Sequence, residues 1–325
     1  MVAIAASAGG VDALRTLAGA LPADFPAAVL VVLHIPPAGP SVLPQILSRA
    51  GKLPARHPQD GEDLPAGVIL VAPPDRHLAV SDGHVRLLAG PRENGHRPSA
   101  DILLRSVAEN CATRCSGVVL SGTMDDGAAG LAAVRAVGGL ALVQEPAEAT
   151  FPSMPVAAIE EARPQFVGPV SMLADRLGGW VGELEQEVTE VRAAKEFADD
   201  PELTPFTCFE CGGTLWLRDE YGAQRLRCRV GHTFSVDSLL LDKHTALERA
   251  LWAGVVALEE RADLSRRVIK RLENNGRAGR VDRYRDDIAA AERQIKLLRE
   301  VISDLIKNSS GTTTYHAGAA DGDPA

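Results

Sequence analysis

The first 180 or so residues predict an α/β domain, doubly wound around a mostly parallel sheet, and three observations predict it. Short, continuously apolar runs alternate with helical stretches from Val2 to about Gly179, the pattern of strands joined by helical crossovers. The runs are β-branched or alanine-rich at successive positions, as strands buried on both faces must be. Serine, histidine and aspartate stand just after three of these runs, at the carboxyl edge where open α/β sheets place their sites. Together these define a Rossmann-like three-layer domain.

The strands expected in order are Val2–Ala6, Ala28–Leu33, Val68–Val71, Gly117–Leu120, Leu140–Gln144 and Gln165–Val167. Between Leu78 and Leu88, two short runs flank Asp82-Gly83, which reads as a hairpin at a sheet edge. A helical linker is expected over 181–203. From Pro201 to about Asp237 cysteine, glycine, arginine and aromatics replace the helical periodicity, marking a small separate module over 204–237. Beyond it Leu251, Val255, Leu258, Ala262, Ser265, Ile269 and Leu272 recur in steps of four and three. Tyr284, Ile288, Ala291, Ile295, Leu298, Ile302 and Leu305 do the same, which is the spacing of a coiled-coil seam. Asn274-Asn275-Gly276 offers a turn between the two, so 238–307 reads as an antiparallel helical hairpin, with pairing to another chain or a homodimer as the alternative. The small, polar stretch 308–325 reads as a disordered tail.

Composition narrows the function. A chain of 325 residues exceeds one ordinary domain, and 46% hydrophobic with 24% charged residues suits a globular protein with a sizeable core. A net charge of −9 argues against a general nucleic-acid binder, since backbone phosphates repel an acidic surface. No apolar run approaches the roughly 20 residues that cross a bilayer, so membrane insertion is not expected and a cytoplasmic location is. Five cysteines, three in metal-like spacing, suit a reducing compartment better than a disulfide framework.

Ser7 lies in AIAASAGG, after a strand and before glycines that open a helix near Val11. A hydroxyl there can attack a carbonyl while following amides and the helix N-terminus stabilise the oxyanion; the alternative is a helix N-cap serine. His34 ends the strand in VLVVLHIPP and can act as general base and then general acid, or as a half-buried histidine bonded to a loop carbonyl. Asp125 and Asp126, in VVLSGTMDDGAAG, follow a third strand; one can orient the imidazole, and at least one reads as an N-cap. The chain order serine, histidine, aspartate differs from that of α/β-hydrolases, and Ser7 lacks the G-x-S-x-G elbow.

These motifs carry a resemblance. AIAASAGG, LHIPP, GVILVAPPDRHL, RPSADILLRSVA, VVLSGTMDDGAAG and AVGGLALVQEPAEATFPSMPVAAI occur in the order seen in chemotaxis protein-glutamate methylesterases of the CheB type, across about Val2 to Leu177. The resemblance implies a serine hydrolase with catalytic Ser7, His34 and Asp126, leaving Asp125 as an N-cap or solvent partner. It implies demethylation of glutamate methyl esters in methyl-accepting chemotaxis receptors, with deamidation of glutamine at the same site, and no cofactor for catalysis. Arg97 and Ser99 belong to a motif that can contact substrate, with capping the alternative for Ser99. The chain departs from the family pattern at Ala8, where threonine is usual, and at Thr123, where methionine is usual and Met124 stands one position later. No N-terminal receiver domain is expected in this chain. His77 is more readily structural than cleft-lining; His57, His84, His96 and His316 receive no role.

Cys208-x2-Cys211 and Cys228-x3-His232, 16 residues apart, have the spacing of a structural tetrahedral Zn²⁺ site, with a metal-free hairpin of buried thiols as the alternative. Cys111 and Cys115 read as buried small hydrophobes. A protein of another class, an esterase-like scaffold of weak or no activity, or a serine esterase for a different ester, remains an alternative reading.

Overall fold

In the computed structural model of the 325-residue chain, residues 1–184, 202–274 and 281–311 are described. The chain divides into two units, Met1–Leu240 and Leu241–Ala325.

The first unit runs β1 (Val2–Ala6), α1 (Gly10–Ala20), β2 (Val29–Leu33), α2 (Leu43–Ala50), β3 (Ala55–Arg56) and β4 (Ile69–Val71). It continues through β5 (His77–Ser81), β6 (His84–Leu88), α3 (Ala100–Cys111), β7 (Ser116–Val119) and α4 (Ala128–Ala136). β8 (Leu140–Gln144), α5 (Ser153–Ala162), β9 (Phe166–Gly168) and α6 (Val170–Leu184) complete the domain. Seven strands form one sheet in the order β3-β4-β2-β1-β7-β8-β9, and every neighbouring pair is parallel. All five residues of β1 and of β2 are buried. Along β1, Val2, Ile4 and Ala6 join a core with Leu14 and Leu17 of α1, Leu47 of α2 and Leu177 of α6. Ala3 and Ala5 face the other core, with Leu104 of α3, Leu131 of α4 and Ala158 of α5. Both strand faces are apolar because both are covered, hence the unbroken apolar runs of the sequence. The chain leaves β1 first toward β2 and later toward β7, so the strand order switches there and a crevice opens at the carboxyl ends of those three strands.

The doubly wound, parallel architecture expected from the sequence is the one observed. The short strand β3 was not anticipated, having only two residues and no apolar run. β5 and β6 are a hairpin, as expected, but they form a separate two-stranded sheet rather than an edge of the main one. Asp82 (φ 53°) and Gly83 (φ 78°) supply the two positive-φ positions of a tight turn whose twist matches its strands.

The last domain helix continues to Leu184, past the boundary expected at residue 180; most of the expected linker, residues 185–201, lies outside the described residues. Then β10 (Glu202–Thr207), β11 (Thr214–Glu220), β12 (Ala223–Cys228) and β13 (Thr233–Ser235) form an antiparallel sheet of four strands. Its small core holds Leu215, Leu226, Phe234 and Leu239 beside Cys208 and Cys228. Ser235 caps α7 (Val236–Asn274), its Oγ accepting the Ser238 amide at 3.0 Å.

The second unit holds α7 from Leu241 onward and α8 (Asp282–Gly311). Val255, Ala262 and Ser265 on α7 and Ala291 and Ile302 on α8 are buried, all at positions of the expected seam. Ion pairs link Glu259 to Arg299, Arg266 to Glu292 and Glu273 to Arg285. Steps of seven residues rise on one helix and fall on the other, so the helices run antiparallel within the chain. The expected turn at Asn275-Gly276 lies outside the described residues. α8 remains helical to Gly311, where a disordered tail was expected from residue 308; residues 312–325 are not described.

Candidate active site

β1 ends at Ala6 and the chain turns at once into α1, which leaves Ser7 at the sheet's carboxyl edge. Its amide donates to the Ser121 carbonyl at 3.0 Å, tying this turn to the one after β7. Two glycines permit the approach. A Cβ on Gly9 (φ 70°) would lie 2.7 Å from Thr150 Cβ, and one on Gly122 would lie 2.9 Å from Ser7 Cβ and on top of Met154. Gly9, not Ser7, is the N-cap of α1, so the capping alternative for Ser7 falls away.

His34 follows β2, the strand beside β1. The Ser7 hydroxyl donates to His34 Nδ1 at 3.1 Å, and His34 Nε2–H donates to Asp126 Oδ2 at 2.7 Å. The His34 and Asp126 side chains are 6% and 1% exposed, so little water competes for that bond. The structure thus brings Ser7, His34 and Asp126 into one hydrogen-bonded chain across three adjacent strand ends.

Asp126 is surrounded by donors. Oδ1 accepts Ser99 Oγ at 2.9 Å, Asn94 Nδ2 at 3.2 Å and the Asp101 amide at 3.2 Å, while Oδ2 also accepts the Ala100 amide at 2.7 Å. Burial pushes this carboxyl up, but the bond to and charge of His34, the nearby His96 and the Ala100 amide outweigh it and hold Asp126 well below the usual carboxylate range. It stays ionised, as an orienting carboxylate must. Ser99, expected either to contact substrate or to cap a helix, instead supports Asp126 at full burial. Arg97 bonds Asp75 at 2.7 Å and the Gly90 carbonyl at 2.7 Å, bracing the loop before α3.

Asp125 and Asp126 divide differently than expected. No side chain of the Asp125-Asp126 pair caps α4, whose N-cap is Gly127; the cap is Asp101, whose Oδ1 accepts the amides of Gly127 at 3.0 Å and Gly130 at 2.7 Å. Asp126 in turn accepts the first amides of α3, on which Asp101 sits, so each aspartate caps the other's helix. Asp125 is buried, and burial raises its pKa against the opposing influence of Ser235 and Arg225. The solvent-partner reading of Asp125 fails because the residue is buried.

His96, given no role from the sequence, stacks on His34 with centroids 3.8 Å apart and planes 8° from parallel. Burial first, and the neighbouring His34 second, push its pKa down to about 4, so a neutral ring backs the His34 imidazole at neutral pH. His77 is structural: Nε2 bonds the Pro91 carbonyl at 2.9 Å and Nδ1 accepts the Ser99 amide. Ala8 lends its carbonyl to Ser121 Oγ at 2.9 Å, and in the turn holding exposed Thr123, Met124 sits at φ 66°, a left-handed conformation costly for a side chain of its length.

Cys208, Cys211, Cys228 and His232 come together, with one ligand atom of each within 4.8 Å of the others. The contacts Cys211 Sγ to Cys228 Sγ (3.6 Å), Cys208 Sγ to His232 Nδ1 (3.7 Å) and Cys228 Sγ to His232 Nδ1 (3.4 Å) lie near the roughly 3.5–3.8 Å edges of a tetrahedral zinc site, with the other pairs within 4.8 Å. The donor set fits the metal. Cys115 is fully buried and Cys111 partly so, as expected of small hydrophobes.

A parallel α/β sheet with a serine, a histidine and an aspartate bonded in series at its carboxyl edge is an arrangement that serine hydrolases use. The chain belongs to the CheB methylesterase family, whose profile matches residues 2–177, more than half of its length. It is 42% identical over 184 residues to protein-glutamate methylesterase/protein-glutamine glutaminase 3 of Anaeromyxobacter dehalogenans, covering 56% of this chain and 54% of that protein. It is 34% identical over 185 residues to protein-glutamate methylesterase/protein-glutamine glutaminase 2 of Methanosarcina mazei, covering 54% and 50%. The chain thus spans about half the length of the curated relatives it matches. The crystal structure of the Thermotoga maritima CheB methylesterase catalytic domain is similar with a TM-score of 0.53 and 30% identity, over 55% of this chain and 97% of that one. No helix among the described residues is long and apolar enough to cross a membrane.

Proposed function

We propose that the chain is a protein-glutamate methylesterase that hydrolyses glutamate γ-methyl esters on helices of methyl-accepting chemotaxis receptors. The relay from Ser7 through His34 to a buried, ionised Asp126 carries this reading. Ser7 Oγ attacks the ester carbonyl and passes its proton to His34 Nδ1. The imidazolium is stabilised by Asp126 and returns that proton to the departing methoxide, releasing methanol and leaving a glutamyl ester on Ser7. Water activated by the same imidazole then attacks that ester, giving the free glutamate and restoring Ser7. A glutamine side chain at the same position yields ammonia and glutamate by the same steps, so deamidation is the companion activity. Ser7, His34 and Asp126 are the catalytic residues of this reading.

Cys208, Cys211, Cys228 and His232 would hold one structural Zn²⁺. Four protein ligands leave no open position, and the ion would fasten the β10–β13 sheet rather than take part in hydrolysis. The domain boundaries that go with this are a catalytic domain to about residue 180, a metal-binding module near 204–237 and a helical hairpin beyond it.

The deciding experiment measures methanol release from methylated chemoreceptor fragments, with Ser7→Ala alongside. Release that Ser7→Ala abolishes is expected. A folded wild-type protein that releases none, from fragments another methylesterase demethylates, overturns the reading.

A further inference from the structure

The metal-binding module reaches into the catalytic apparatus. Arg225, on β12, is 2% exposed, and its Nη2 donates to Asp101 Oδ2 at 3.2 Å with Glu161 Oε1 at 3.7 Å. A guanidinium so desolvated is tolerated only against facing negative charge, which here comes from Asp101, Glu161, Glu93 and Asp125. Asp101 is fully buried and burial drives its carboxyl upward, with Arg225 the main opposing influence. Every neighbour of its oxygens is a donor: the Gly127 and Gly130 amides, Asn94 Nδ2 and Arg225 Nη2. That shell suits the carboxylate and has no acceptor for a proton.

Asn94 carries the second link. Its amide donates to the Thr233 carbonyl at 2.8 Å and its Oδ1 accepts the Ser235 amide at 3.0 Å, both on β13. Its Nδ2 then bridges Asp101 Oδ2 at 3.1 Å and Asp126 Oδ1 at 3.2 Å. Its backbone is left-handed, φ 50°, a conformation the pairing with β13 maintains.

We infer that Arg225 and Asn94 are positioning residues through which the C-terminal module sets the catalytic aspartate: Arg225 neutralises Asp101, and Asn94, held by β13, spaces Asp101 from Asp126. Without Arg225 the two aspartates share one buried pocket unbalanced; Asp101 then protonates or turns, and its caps on α4 and its distance to Asp126 change with it. This inference rests on the methylesterase reading of Ser7, His34 and Asp126, and its test is built to separate the two.

In the full chain, Arg225→Gln, Arg225→Lys, Asn94→Ala and the exposed control Arg218→Gln are compared for kcat and KM of methanol release. The far-downfield proton resonance of the His34–Asp126 hydrogen bond is recorded for each. Arg225→Gln and Asn94→Ala should lower kcat about 10- to 100-fold with KM little changed, since misplacing a catalytic group by an ångström costs this much. They should also shift or erase the resonance, whereas Arg225→Lys recovers part of both and Arg218→Gln leaves both as in wild type. If Arg225→Gln does not fold, Asn94→Ala decides alone. Wild-type kcat and an unmoved resonance in a folded Arg225→Gln or Asn94→Ala protein overturn the inference. If the wild-type chain hydrolyses no methyl ester, the methylesterase reading has failed and the resonance decides: lost in the folded variants and kept in Arg225→Lys, the positioning role stands; unchanged, it falls.

Discussion

Asp126 accepts five hydrogen bonds on two oxygens, from His34, Ser99, Asn94 and the amides of Ala100 and Asp101. Asparagine keeps the shape but presents an NH2 where only acceptors fit, and favours the His34 tautomer that cannot receive the Ser7 proton. Asp126→Asn should therefore lower kcat of ester hydrolysis by about 10³- to 10⁴-fold, as expected for loss of an orienting carboxylate; a fall under tenfold would remove Asp126 from the relay. His96 sets a pH dependence of stability. Its folded-state pKa lies near 4, below the ordinary histidine value of 6.5, so between these values the unfolded chain binds more protons than the folded one. This residue's contribution is complete above about pH 6.5 and declines as pH falls toward about 4. Chemical denaturation across that window should show His96→Phe losing less stability on acidification than wild type; parallel curves would refute the assignment.

The elements follow from the sequence where their signals are local. β1, β2 and β8 are legible as apolar runs because both faces of each are covered, and Asp82-Gly83 as a hairpin because those residue types take positive φ cheaply. β3 was not legible: two half-buried or exposed residues leave no pattern. In the helical unit, steps of four and three mark Val255, Ala262, Ala291 and Ile302 in the sequence, and these four are buried. The ladder of ion pairs beside it is exposed and contributes little to stability, so burial is what holds these helices together. Ala291→Asp, an unpaired carboxylate at a position 1% exposed, should destabilise the helix pair by about 3 kcal/mol or more and release amide hydrogen exchange along α7 beyond Leu241 and along α8. Protection that stays at wild-type level there would show that these helices do not depend on the seam.

At the scale of the molecule, what sequence reading could reach was the relay and not its support. Ser7, His34 and Asp126 each stand in a motif just after a strand, and a parallel sheet necessarily brings such strand ends to one edge. Asn94, His96, Asp101 and Arg225 carry no such mark: an asparagine and a histidine in a polar loop, an aspartate at a helix start and one arginine among several in a β-ribbon. Arg225 meets Asp101 across 124 residues of chain, a pairing only the folded packing reveals. The same packing ties the Cys/His cluster to Asp101 and Asp126, because Cys228 ends the strand that carries Arg225, and His232 directly precedes β13, on which Asn94 hangs. With zinc bound, those two strands are fixed at one end by the ligands and at the other by the aspartates. Chelation of the metal from the full chain should therefore release hydrogen exchange in β10–β13 first. Methanol release should slow with it, by about tenfold or more through kcat with KM little changed, and return when Zn²⁺ is restored but not when Mg²⁺, a poor ligand for thiolates, is supplied. Exchange and hydrolysis that both ignore chelation would show that the cluster holds no metal. Exchange released with hydrolysis intact would show a metal site whose module does not reach Asp126.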